Sequence, residues 1–232
     1  MARFRNFDQT RNQETPRRPY VILNAAMTLD GKIATRTGDS RISSKSDLKE
    51  LHKLRSSVDA ITIGVGTQLK DNPRLTVRRV KGSSPIKIVV DSLARTPPNA
   101  RIFSTTKVEK VILAVSKSAP SMRVNALERA GAKVLKCGVR KVDLKGLLQA
   151  LYRMGIKHIL LEGGGNLNWS MLESKLVDEI RVTIAPMIVG GKKAITLAEG
   201  AGVDYIHRSV GLSLIKLSHN GLEVKLRYKV KK

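Results

Sequence analysis

Three features of the sequence predict an α/β fold: a mixed, mostly parallel sheet with helices on both faces and an antiparallel hairpin at the C-terminal end. Short apolar runs alternate with helical patterns through most of the chain, the signature of strand–helix–strand units. The runs are apolar without a break, as at 159–161, so their strands are buried on both faces. The last fifth carries strands with no long helix between them, and Asn220-Gly221 joins the final two as a tight hairpin turn.

Residues 1–18 read as a disordered basic arm and 19–232 as a single domain. A buried strand spans 20–26, followed by a loop over 27–45 rich in Gly, Ser, Thr and Asp. Ser44 to Asp47 fits a capping box opening a helix over 47–56, with Leu48, Leu51, Leu54 and Arg55 at helical spacing. A strand at 58–64 precedes a short helix at 66–70, stopped by Asp71-Asn72-Pro73. Residues 75–80 read as extended and 86–91 as a strand entering a turn-rich stretch. Strands at 110–115 and 132–136 flank a helix at 121–130 that Gly131 ends. A helix at 143–154, a strand at 156–161 and a helix at 166–175 complete the alternation. Strands at 179–185, 212–217 and 222–230 follow.

The 232 residues are 41% hydrophobic and 27% charged, so they can bury a core without disulfides. One cysteine, Cys137, excludes a disulfide framework and a Cys-rich zinc or iron–sulfur site within one chain, and reads as a core residue. No apolar run approaches the ~18 residues of a membrane span, and the polar N-terminus has no apolar signal region, so we expect a cytoplasmic protein with no membrane partner.

The net charge of +24 raises the question of nucleic acid. The layout argues against it. Arg3, Arg5, Arg11, Arg17 and Arg18 stand against Asp8 and Glu14 in the arm, only +3, and the rest is dispersed. Aromatic residues for base stacking make up only 3%. We read a solvated basic surface that draws in phosphorylated ligands.

The sharpest motif runs from strand through Glu162 and the glycines 163–165 into a helix at Asn166 and Leu167. Glycines let backbone N–H groups approach an anion, and a helix N-terminus favours its charge. The same pattern also suits a tight strand–helix turn without a ligand. Gly64 to Thr67 repeats the logic, with Asp71 one helical turn beyond Thr67; a helix cap and stop would look the same. Asp91-Ser92 ends another strand, and ligands in open α/β sheets gather at such carboxyl ends. Asn24, Gly64, Asp91 and Glu162 all fall at strand ends and are expected to meet at one mouth. Arg55 and Arg78 match phosphate oxygens, although in so basic a chain either could be surface. His52 reads as a surface residue and His158 as a structural one.

Taken in order, NAAMTLDGK (24–32), GDSRIS (38–43), HKLR (52–55), GVGT (64–67), DNPRLTVR (71–78), IVVDS (88–92), LEGGG (161–165), LVDE (176–179) and IAP (184–186) resemble the reductases of riboflavin biosynthesis. The similarity is to the stand-alone archaeal and fungal type, and to the reductase half of the bacterial bifunctional deaminase/reductases. The chain lacks the deaminase zinc signature. The resemblance implies a dihydrofolate-reductase-like fold, a homodimer, and NADPH as reductant, with NADH left open. It implies reduction of a phosphorylated ribosylaminopyrimidine substrate at C1′ of its ring-opened imine. It places the cofactor on Met27, Thr67, Asp71, Asp91, Ser92, Gly163, Gly164, Gly165, Asn166 and Leu167. It places the substrate on Asn24, Ser40, Arg55, Leu75, Arg78 and Glu162. Glu162 is the expected proton donor, with Lys32 second. The alternatives are another NADPH-dependent pterin or pyrimidine reductase of the same fold, and a basic RNA-associated protein.

Overall fold

A computed structural model describes residues 18–105 and 110–232. The arm expected over 1–17 lies outside the described residues; Arg18, expected to belong to it, does not. Its guanidinium donates two 2.8 Å hydrogen bonds to the Asp178 carboxylate. Asp178 also accepts the Val21 N–H and pairs with Lys232, so one buried acid ties the two ends of the domain together.

In chain order the elements are β1 (Tyr20–Thr28), β2 (Lys32–Ala34), α1 (Lys45–Arg55), β3 (Ala60–Gly64), α2 (Val65–Asp71), β4 (Ile86–Val90), β5 (Val111–Val115), α3 (Ser121–Arg129), β6 (Ala132–Lys136), α4 (Leu144–Arg153), β7 (His158–Leu161), α5 (Gly165–Glu173), β8 (Glu179–Ala185), β9 (Ile195–Thr196), β10 (Leu212–His219) and β11 (Val224–Val230). Nine strands form one sheet in the order β10-β11-β8-β1-β7-β3-β4-β5-β6. From β8 to β6 all neighbours are parallel, while β11 and β10 add on antiparallel.

The period-2 alternation of strands sorts their side chains to two faces. Val21, Leu23, Ala60, Ile88 and Ile112 pack with α4 and α5 through Leu147, Leu151, Met171 and Leu172. Ile22, Ile61, Ile63, Val89 and Leu113 pack on the other face with α1 and α3 through Leu54, Val124 and Leu127. Each helix has a local cause. Ser44 caps α1 by accepting the Asp47 N–H at 3.1 Å, so that helix starts two residues earlier than its sequence pattern indicated. Asp143 caps α4 through the Gly146 N–H.

Four expectations need correction. β1 runs on to Thr28 because β8 pairs with it as far as Ala185. The loop after it contains β2, which pairs with β9. Residues 75–80 form no strand. Leu75 has φ +52, and the segment is held by side chains instead: Arg55 to the Thr76 carbonyl, Ser84 to the Val77 N–H, and His52 Nδ1 to the Arg78 N–H. His52 is therefore not a surface residue; it is 2% exposed.

Candidate active site

The carboxyl ends of β1, β7, β3 and β4 open into a cavity of about 850 Å³. β1 brings Asn24, Ala25 and Ala26; the β2 region brings Ile33, Ala34, Gly38 and Ser40; α1 brings Asp47, Leu51 and Arg55. Gly64, Gly66, Thr67 and Asp71 come from the β3–α2 junction, and Glu162 with 164–168 from the β7–α5 junction.

The glycine turn is built for close approach. Gly163 has φ +92 and its carbonyl accepts the Gly64 N–H at 2.8 Å, pinning the two strand–helix junctions together. Gly164 has φ +62, and a Cβ there would sit 2.9 Å from Thr67 Oγ1. Gly66 has open space where a Cβ would project, so bare backbone lines the cavity. Two helix N-termini thus face one cleft, an arrangement that favours a diphosphate. These residues fit a nicotinamide dinucleotide.

Across the cleft, Arg55 Nε and Nη2 donate to the two carboxylate oxygens of Glu162 at 2.7 and 2.6 Å. Their side chains are only 10% and 11% exposed. Burial opposes the charge on Arg55, but the adjoining Glu162 carboxylate outweighs it and raises the guanidinium pKa. Both carboxylate oxygens of Glu162 are thus engaged as acceptors, an arrangement that holds Arg55 in place.

Arg55 also orders the neighbouring segment, which carries Arg78. Burial pushes the Arg78 pKa down, and Arg55, Arg74, Arg79 and Arg101 push it further. Such an uncompensated cluster is an attractive place for a phosphate dianion. His52 sits beneath it, its pKa pushed down to about 4 by burial and by Arg55, Arg78 and Arg79.

Asn24, Ser40, Arg55, Thr67, Asp71, Leu75, Glu162, Gly164, Gly165, Asn166 and Leu167 therefore line one cavity. Met27, Lys32, Arg78, Asp91, Ser92 and Gly163 stand outside its wall. Met27 packs against the core. Lys32 lies in β2, opposite Thr196. The expected convergence fails for Asp91: it is fully buried, and its carboxylate accepts the Thr96 N–H and Oγ1–H at 2.7 and 2.9 Å. Ser92 Oγ accepts the Val142 N–H, which fastens a neighbouring loop. In their place the β4 end presents Val90 and Arg95. Asp47 was missed on sequence; its signal was the spacing of Asp47, Leu51 and Arg55 along one helix face. Among the described residues no group of His, Cys, Asp and Glu could hold a metal ion.

A parallel α/β sheet with antiparallel C-terminal strands and a cleft at its strand ends is a dihydrofolate-reductase-like fold. A dihydrofolate reductase of Enterococcus faecalis aligns over 92% of the chain and 97% of its own, with TM-score 0.51 and 12% identity. The RibD C-terminal domain model matches residues 19–226, and the chain belongs to that family. The chain is similar to the 2,5-diamino-6-ribosylamino-4(3H)-pyrimidinone 5′-phosphate reductase of Methanothermobacter thermautotrophicus, 51% identical over 92% of this chain and 99% of the relative. Acinetobacter baumannii RibD aligns with TM-score 0.80 and 24% identity over 93% of this chain and 58% of its own.

Proposed function

We propose that this protein is a reductase of riboflavin biosynthesis that reduces 2,5-diamino-6-ribosylamino-4(3H)-pyrimidinone 5′-phosphate, as the name of its 51%-identical relative suggests, and that NADPH is its reductant. The observation that carries the reading is the meeting of Asn24, Arg55, Thr67, Glu162 and Gly164 around one cavity.

The opened sugar presents a C1′=N imine. Its reduction breaks the C=N π bond as C1′ gains a hydride and nitrogen gains a proton. Bound in the cleft, the nicotinamide supplies the hydride. Gly64 to Thr67 and Gly164 to Leu167 would hold its diphosphate, with Asp71 flanking them. Lys70 and Arg95 line the cavity beside α2 and β4, where they favour a 2′-phosphate and hence NADPH over NADH. Met27 and Gly163 support this wall from behind, and Asp91 and Ser92 shape the turn that presents Arg95. Arg55 is fixed by Glu162, and together with Ser40, Leu75 and Asn24 it frames the substrate end, with Arg78 on the segment behind it as a further phosphate ligand. Glu162 lies at that end, and Lys32, which precedes the cavity-lining Ile33 in β2, is the second candidate for the proton donor. A cleft that held the hydride donor against C1′ would contribute on the order of 7–11 kcal/mol to lowering the barrier.

The decisive experiment is NADPH oxidation with the pure ribosylaminopyrimidine phosphate, with NADH in parallel. Substrate-dependent oxidation is expected, faster with NADPH; its absence with both cofactors sinks the reading.

The reading carries a cytoplasmic location and a homodimer with it. Supporting the dimer, the edge strand β10 exposes Leu214, Ile215 and Leu217, and Leu222 stands exposed in the hairpin. Within 212–219 the only Lys, Arg, Asp or Glu is Lys216, so this strand itself adds little to the repulsion between copies of a +24 chain. Among the described residues no helix is long and apolar enough to cross a membrane.

A further inference from the structure

Asp47 lines the substrate end of the cavity, on the same face of α1 as Leu51 and Arg55. Eight residues of helix set its Cα about 12 Å from that of Arg55. One groove therefore offers a carboxylate at one end and a guanidinium at the other, with Ala25, Leu48 and Leu51 among its apolar walls. A flat base with a phosphate on the far side of a sugar fits that polarity.

The Asp47 carboxylate is held in place. Thr183 Oγ1 donates to Oδ1 at 2.6 Å, from the strand next to the one that carries Asn24. Oδ2 takes no hydrogen bond from the described residues. The other acids of the cavity are worse placed to read a base. Glu162 is taken by Arg55, Glu199 Oε1 accepts from Thr196, and Asp71 lies at the end of α2 beside Lys70.

We propose that Asp47, oriented by Thr183, reads the 2-amino edge of the pyrimidine and makes this enzyme selective for the substrate that has not been deaminated. The proposal rests on the function proposed above. A 2-aminopyrimidin-4-one offers two adjacent donors, the exocyclic 2-amino group and N3–H. A carboxylate accepts both, one on each oxygen, and Oδ1 keeps a lone pair for Thr183. In the deaminated 2,4-dione a carbonyl oxygen replaces the amino group. Acceptor then faces acceptor, and a site built to bind a donor rejects the analogue that lacks it.

The test compares kcat/KM for the 2-amino and 2-oxo ribosylaminopyrimidine phosphates, with saturating NADPH, in the wild type, Asp47→Asn and Thr183→Val. The wild type is expected to prefer the 2-amino substrate by on the order of 10- to 100-fold. In Asp47→Asn the carboxamide N–H can meet the 2-oxo group. The preference should narrow at least about tenfold, mostly through KM, with the KM for NADPH changed by less than about twofold. Thr183→Val should narrow it partially. An Asp47→Asn enzyme with the wild-type ratio overturns the assignment while leaving the reductase reading intact. Should Asp47→Asn not fold, an unchanged ratio in Thr183→Val overturns it equally. A wild type inactive on both substrates overturns the reductase reading and this proposal together.

Discussion

Glu162 and Arg55 are 107 residues apart in the chain, yet form the best-aligned ion pair of the cavity. Two charges that shed most of their water are costly to separate, because the survivor stays buried and unpaired. Glu162→Gln is expected to destabilise the fold by about 3–5 kcal/mol and to raise the KM for the phosphorylated substrate, since Arg55 loses its anchor. Denaturant unfolding and steady-state kinetics check both; a variant with wild-type stability and KM refutes the role. His52 gives a pH signature from the same neighbourhood. It stays neutral in the fold, accepting the Arg78 N–H, with its pKa pushed down to about 4. The unfolded chain protonates it near 6.5 and so binds more protons between those values. Stability should therefore fall as pH drops from about 6.5 to about 4, by on the order of 3 kcal/mol from this group. His52→Gln should flatten that part of the profile, and an unchanged acid limb would contradict it.

Among the elements, the turn between β7 and α5 is the most demanding. Gly164 combines φ +62 with a neighbour, Thr67 Oγ1, that leaves a Cβ no room. Gly164→Ala is expected to cost about 1–3 kcal/mol in backbone strain and to raise the KM for NADPH at least about tenfold, because the turn must shift away from the diphosphate. Unchanged NADPH kinetics would remove this turn from the cofactor site. The turn was legible in the sequence because three glycines between a strand and a helix have few other uses. The strands were legible for a similar reason: a fully buried parallel strand must be apolar throughout, and the run read at 110–115 meets the observed Val111–Val115 to within one residue. The short pair β2–β9 was not, since its Lys32 to Ala34 and Ile195-Thr196 carry too few residues for a period. Nor could local pattern reveal that Asp91 turns inward to Thr96, or that His52 is buried. Asp91 sits at a strand end as expected, but its own following loop supplies better donors than the cavity does. Pairings over long separations, such as Arg55 with Glu162 and Asp47 with Thr183, are set by sheet order, which hydrophobic spacing does not encode.

For the whole molecule, charge and shape point to the same surface. A chain of net charge +24 repels its own copies at most orientations, and the repulsion is strongest at low salt. Association must use a region with few charges and enough apolar area to compensate. The edge strand β10 and its turn offer both: Leu214, Leu217 and Leu222 are 56%, 57% and 72% exposed, and β10 ends the sheet, so that only its β11 side is paired among the described residues. Exposed edges of this kind invite pairing unless they carry charge, and the opposite edge β6 carries Lys133 and Lys136 where β10 carries mostly leucine and isoleucine. Burying a leucine contributes about 1.5–3 kcal/mol, so several of them in two copies outweigh the cost of association. The paired substitution Leu214→Asp and Leu217→Asp should convert a wild-type dimer at micromolar concentration into a monomer, measured by sedimentation equilibrium. Neither side chain is part of the buried core, so unfolding by heat should remain cooperative in the variant. A wild type that sediments as a monomer, or a variant that remains dimeric, would take the interface away from this edge. Raising the salt should tighten the wild-type dimer, since screening removes the repulsion and leaves the apolar contact; salt-induced dissociation would instead mean that ion pairs hold the copies together.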